Sequence, residues 1–149
     1  NDQIKLHMIG KLQTNKVKFA VDIFDYIHSV DNLKLAKKIS DEIKKRNKKI
    51  KVFIQVNIGN EFQKSGVQID GLNSFFEECK QFENLDIIGL MCLPPLNDDS
   101  DIYFQKMNAL SKQLNLPELS MGMSQDYLSA ASNNASFVRI GTKIFGKRY

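Results

Sequence analysis

Two stretches near the C-terminal end of this 149-residue chain set a glycine and a hydroxyl residue where a strand runs out. They are LSMGMSQD, Leu119 to Asp126, and VRIGTKIFG, Val138 to Gly146. The chemistry that suits them is the holding of a phosphate. Glycine lets the backbone approach a ligand closely. Backbone N–H groups at a helix start, with a hydroxyl beside them, complement a dianion. Gly122, Met123 and Ser124 open directly onto a helix expected over Asp126 to Ala131, and Gly141–Thr142 ends the last expected strand. Taken singly, each stretch also fits a tight turn with a serine cap; the pair, in this order, favours one anion site. Arg139 stands two residues before Gly141 and so points to the same side of its strand. An inward guanidinium needs a partner, which an acceptor on a bound ring or a carboxylate would supply.

The other chemically capable residues give weaker signals. In HMIGKLQTNK, His7, Ile9, Gly10 and Leu12 form a strand end, and Gln13 to Lys16 read as a cap and helix start. His7 and His28 have no metal-ligand spacing and no Cys or carboxylate cluster beside them, so each reads as a hydrogen-bonded structural histidine. Cys79 and Cys92 show neither pairing nor metal spacing and read as free thiols of a reducing cytoplasm. The formal net charge is +4, with much of the excess in Lys37 to Lys51. That run also holds Asp41 and Glu42, and Ile39 and Ile43 fall four apart, as on the solvated face of an amphipathic helix rather than a nucleic-acid surface. No apolar run approaches the roughly 20 residues of a membrane span. The start, NDQIKLHMIG, has no signal-peptide pattern and no initiating Met, as expected of a chain that begins partway through something longer.

Strands and helices must position these residues, and the periodicity alternates between them. Strands are expected at Leu6–Leu12, Phe24–Asp31, Lys51–Ile58, Leu85–Leu93, LSMGMS and FVRIGTKIFG. Helical spacing follows in the segment from Asn32, in IDGLNSFFEECKQF with Asp70 as cap, in Ser100–Leu114 and in QDYLSAASN. Pro94 and Pro95 stop the fourth strand. Units of about 30 residues make a parallel sheet with helices packed outside it, in one domain spanning residues 1–149. Both a doubly wound sheet and a barrel fit. A closed (β/α)8 barrel requires eight strands and typically about 250 residues, and only six strands are counted.

HMIGKLQTNKVK, FDYIHSVD, VNIGNEFQKSG, IIGLMCLPP, LSMGMSQD and VRIGTKIFGKR, in this order, resemble the pyridoxal phosphate homeostasis protein family. That family is similar to the barrel domain of alanine racemase. The resemblance implies an α/β fold of (β/α)8 TIM-barrel type, present here as an incomplete barrel of about six parallel strands. It implies pyridoxal 5′-phosphate (PLP) as the cofactor. The phosphate would be held by Ser124 and by backbone N–H groups at Gly141 and Thr142, with Gly122 and Met123 beside them. Arg139 would face the pyridine nitrogen and leave it unprotonated, a weak electron sink. His7, Asn57 and Met91 would lie near the barrel mouth.

The family's Schiff-base lysine sits in an AVSK-like first strand, and its second strand carries a GENY-like stretch. This sequence contains neither and begins just before the family's third strand, as a C-terminal fragment would. The resemblance therefore implies a non-catalytic PLP carrier or buffer, cytoplasmic, with open sheet edges that invite self-association. The alternatives are a PLP-dependent amino-acid racemase and an α/β barrel for another phosphate ligand.

Overall fold

The computed structural model describes residues 4–147. One sheet contains six strands: β1 (His7–Met8), β2 (Tyr26–Val30), β3 (Lys51–Val56), β4 (Asp86–Cys92), β5 (Glu118–Met123) and β6 (Phe137–Arg139). Their spatial order is their chain order, and every neighbouring pair is parallel. A doubly wound sheet reverses direction partway; this one never does, so it is a section of barrel wall. Neighbouring strands lie about 4.8 Å apart, so six strands laid flat would separate the edges by about 24 Å. Yet the His7 ring on β1 and the Phe137 ring on β6 have centroids 5.4 Å apart. The sheet is curled into an open half-barrel.

Helices follow the strands: α1 (Val17–Ile23), α2 (Leu33–Arg46), α3 (Leu72–Cys79), α4 (Ser100–Leu114), α5 (Tyr127–Ser132) and α6 (Thr142–Phe145). In β3 both faces are buried. Val52, Ile54 and Val56 join the core beneath the helices, while Phe53 points into the curl, where its ring lies 4.3 Å from His28 and 5.7 Å from Phe137. This double burial explains why the strand reads as a near-continuous apolar run. The basic helix α2 begins at Asn32, whose side chain accepts the Leu35 N–H at 2.9 Å, and ends at Asn47, which takes the left-handed φ of 49°. Leu35, Ala36, Ile39 and Ile43 are its buried stripe. Lys38 and Arg46 pair with Glu42 at 2.9 and 3.0 Å, and Arg46 also reaches Asp22 of α1 at 3.0 Å. The basic run thus spends part of its charge on joining two helices.

Three elements differ from the sequence expectation. β1 covers two residues rather than Leu6–Leu12. The last strand ends at Arg139, and Thr142–Phe145 turn into α6 instead of continuing the ladder. Asp70 lies inside a 3-10 turn, Ile69–Gly71, and its side chain caps nothing. Among the described residues no helix is long and apolar enough to cross a membrane.

Ile39 is fully buried, whereas the Lys37–Asp41 pair on the same helix is exposed. Ile39→Ala will lower unfolding free energy by about 2–5 kcal/mol, and Lys37→Ala by less than about 1 kcal/mol. Urea unfolding followed by circular dichroism distinguishes the two.

Candidate functional site

The C-terminal ends of β5 and β6 are neighbours because the strands are consecutive in the sheet. After Met121 the chain turns sharply through Gly122, whose φ is +98°. A Cβ there would lie 2.6 Å from the Ala130 Cβ and 3.1 Å from the Tyr127 Cα, so the turn seats α5 directly on the strand end. Asp126 fastens the turn: its Oδ1 accepts the Met123 N–H at 2.7 Å and its Oδ2 accepts the Ser100 hydroxyl at 2.8 Å. Ser124 does not cap α5. Its Oγ accepts the Lys143 N–H of α6 at 3.2 Å and so ties the two glycine-hydroxyl stretches together. The N–H groups of Gly141 and Thr142 bond to no acceptor among the described residues. Space beside the Gly141 Cα is open.

These termini border a cavity of about 1260 Å³. It brings together His7, Met123, Ser124, Arg139, Gly141 and Thr142, with Lys143 and Lys147 also on its wall. Gly122 is buried behind it. Asn57 and Met91 are not on the wall. Asn57 is 3% exposed and clasps its own loop, donating from Nδ2 to the Glu61 carbonyl at 2.7 Å and accepting the Glu61 N–H at 3.1 Å. Met91 is buried in register with Gln55 and Ser120. A second hollow, about 760 Å³, lies at the other ends of the strands, where Lys48, Lys49 and Lys51 are interspersed with Asp25, Glu83 and Asp86. Its charges are mixed, and none of the candidate site residues lines it.

Arg139 lies on the inner side of β6, part-buried, without an ion pair among the described residues. Nη1 donates to the Ser120 Oγ at 2.8 Å and to the Ser120 carbonyl at 3.1 Å. Nη2 donates to the Cys92 carbonyl at 2.8 Å, and Nε reaches the Met123 sulfur at 3.4 Å. Burial lowers its pKa from the ordinary value. Ser120 in turn meets the His28 Nδ1 at 2.8 Å, and the His28 Nε2 meets the His7 Nδ1 at 2.9 Å. His7 stacks on Tyr26 with centroids 4.1 Å apart. A continuous line of polar groups therefore crosses the curl from β6 to β1. Ser120 did not stand out in the sequence and His28 read only as a hydrogen-bonded structural histidine; their pairing was hidden because they lie 92 positions apart.

Burial pushes the His28 pKa down to about 3, helped by the charges of His7 and Arg139. Burial also lowers that of His7, against a small opposing effect of Asp25. Among the described residues no group of His, Cys, Asp and Glu could hold a metal. The arrangement can bind an anion at the two joined strand ends and offer hydrogen-bond donors to a flat acceptor between Arg139 and His7.

A histidine whose folded pKa is depressed binds fewer protons than the unfolded chain. Stability is therefore full above the unfolded value of 6.5 and falls as pH drops from there toward about 3. The urea midpoint will decrease between pH 7 and pH 4.5, and His28→Gln will flatten that slope. Equal slopes in the two proteins would show that His28 titrates freely.

The sequence pattern of the alanine racemase N-terminal domain matches residues 3–149. A pyridoxal phosphate homeostasis protein of Aquifex aeolicus (strain VF5) is 41% identical over 154 residues, covering 97% of this chain and 68% of that protein. PipY of Synechococcus elongatus PCC7942 superposes with a TM-score of 0.92 in the structure without PLP, at 31% identity, over 98% of this chain and 73% of that one. With PLP bound, PipY gives 0.86 at 33% identity, over 96% and 71%. Alanine racemase from Corynebacterium glutamicum shares the fold, with a TM-score of 0.71 at 17% identity, over 98% and 42%.

Proposed function

The chain belongs to the pyridoxal phosphate homeostasis protein family, built on the alanine racemase N-terminal domain, and we propose that residues 1–149 form one PLP-holding domain. It serves as a carrier or buffer of that cofactor. The observation that carries this is the Ser124–Lys143 hydrogen bond, which joins the two strand ends into one cradle beside the unbonded N–H groups of Gly141 and Thr142. Ser124, Gly141 and Thr142 take the phosphate, with Gly122 and Met123 shaping the turn and Lys143 and Lys147 adding positive charge. Arg139 takes the ring nitrogen, and His7 forms the facing wall. Asn57 orders the loop after β3, and Met91 packs under Ser120, so both act from behind the wall. PLP brings an electron-withdrawing ring and an aldehyde to such a site. PipY, solved with PLP bound, supports the assignment. Arg139 donates without giving up its proton and neither histidine is a ready acid, so the residues hold and orient rather than transfer protons. A cytoplasmic location suits the two buried free thiols, both pushed up to about 12 by burial.

Titration of the purified chain with PLP, followed by absorption, tests this directly. Saturable retention is expected, displaced by inorganic phosphate and weakened about 10- to 150-fold by Ser124→Ala, the loss of one charge-assisted hydrogen bond. Borohydride treatment and intact mass will report any covalent attachment. No retention would overturn the proposal. Equal competition by a sugar phosphate or nucleotide would move the site to another phosphate ligand.

The two sheet edges support a second proposal, self-association. β1 and β6 each have one neighbour, and Leu6, Ile9 and Val138 along them are 46%, 43% and 40% exposed. Unpaired edges with apolar flanks template pairing with another chain. Light scattering will show dimers or larger species at micromolar concentration; a monodisperse monomer with cooperative unfolding would refute it.

A further inference from the structure

The polar line across the curl has a direction, and the direction has a consequence. A guanidinium can only donate. Arg139 therefore supplies the hydrogen at the Ser120 Oγ, 2.8 Å away. Ser120 is fully buried, and its own hydroxyl hydrogen has one acceptor within reach, the His28 Nδ1 at 2.8 Å. The reverse order would load two donors onto the serine oxygen and leave its hydrogen unmatched, which a buried group avoids. With Nδ1 accepting, neutral His28 carries its proton on Nε2 and donates to the His7 Nδ1 at 2.9 Å. His7 then has its single proton on its own Nε2. Every link donates away from Arg139, and the line ends on the cavity wall.

The same accounting applies to Arg139. Of five N–H groups, two on Nη1 go to Ser120, one on Nη2 to the Cys92 carbonyl, and Nε–H to the Met123 sulfur. One Nη2 hydrogen is left over. We infer that Ser120 and His28 are positioning residues: Ser120 fixes how the Arg139 guanidinium is turned, and His28 holds His7 in the tautomer with hydrogen on Nε2, so that a ligand ring at the cavity meets a pre-set Arg139 N–H. This rests on the PLP assignment for the identity of the ring but not for the tautomers, which belong to the protein alone. His28 is held in place independently by stacking on Phe53 at 4.3 Å and 17°. Ser120 is held by the β4–β5 ladder, in register with Met91. The frame is thus rigid before any ligand arrives, which is the condition for selectivity by unpaired donors.

Two measurements decide it. Long-range proton–nitrogen correlation spectra of the ligand-free, nitrogen-labelled chain read each imidazole tautomer. Both His7 and His28 should carry hydrogen on Nε2 with Nδ1 bare. Ser120→Ala should mix the His28 tautomers, and Ser120→Thr should restore the single form. A hydrogen on the His28 Nδ1 in the unsubstituted protein would overturn the inference. In the second, PLP and its ring-N-methylated analogue are compared by equilibrium titration. The chain should favour PLP by about tenfold or more, because the analogue has no lone pair for Arg139. The preference should shrink in Ser120→Ala and return in Ser120→Thr. Equal binding of both ligands, or an undiminished preference in Ser120→Ala, would overturn it. Failure of both ligands to bind would defeat the functional assignment instead, leaving the tautomer result to decide the positioning.

Discussion

Everything at the mouth of this molecule depends on the curl of its sheet. Parallel strands laid down in strict chain order twist the same way at each step, and helices on one side only let the other side close on itself. The rings of His7, Tyr26, His28, Phe53 and Phe137 fill the concave side. They do for the half-barrel what layered side chains do for a complete one, giving the interior face something to bury against. Because β1 and β6 are brought together by this packing, Arg139 and His7 line one cavity although they stand far apart in the sequence.

The curl also explains the polar line through the core. An inward position on a barrel strand is costly for a charged side chain. Arg139 meets the cost with two backbone carbonyls and a hydroxyl instead of a carboxylate. Its charge is thereby hydrogen-bonded but not neutralised, which leaves the cavity with a positive potential. Lysines 143 and 147 at the rim add to it. An anionic, planar ligand answers both the field and the shape.

How much of this was legible in the sequence differs between levels. The alternation of strands and helices was, because buried parallel strands such as Lys51–Val56 are almost continuously apolar and the helices carry clear stripes. The pairing of LSMGMS with VRIGT was, because two such glycine–hydroxyl strand ends in this order favour a shared site over two unrelated turns. Strand order was legible only through the family resemblance: local periodicity is the same in a barrel and in a doubly wound sheet. The extent of the last strand was overread, since Gly141 lets the backbone leave the ladder and Thr142 to Phe145 coil into one turn. His28 and Ser120 were invisible as partners, because only the fold brings them together. Asn57 is a different case. The resemblance set it near the barrel mouth, and its amide is spent on the loop that follows.

The short helix α6 adds a thermodynamic point. It is a single turn, Thr142–Phe145, exposed along its whole length and resting on an edge strand of three residues. Such a segment sits at the low end of local stability and opens far more often than the core. Yet it supplies the backbone groups best placed for an anion. For an anion bound in the proposed cradle, occupancy and closure of the last turn would be one coupled equilibrium, with part of the binding free energy consumed in ordering the turn. Release of an anion held there would require only the fraying of one helical turn and no rearrangement of the curled sheet.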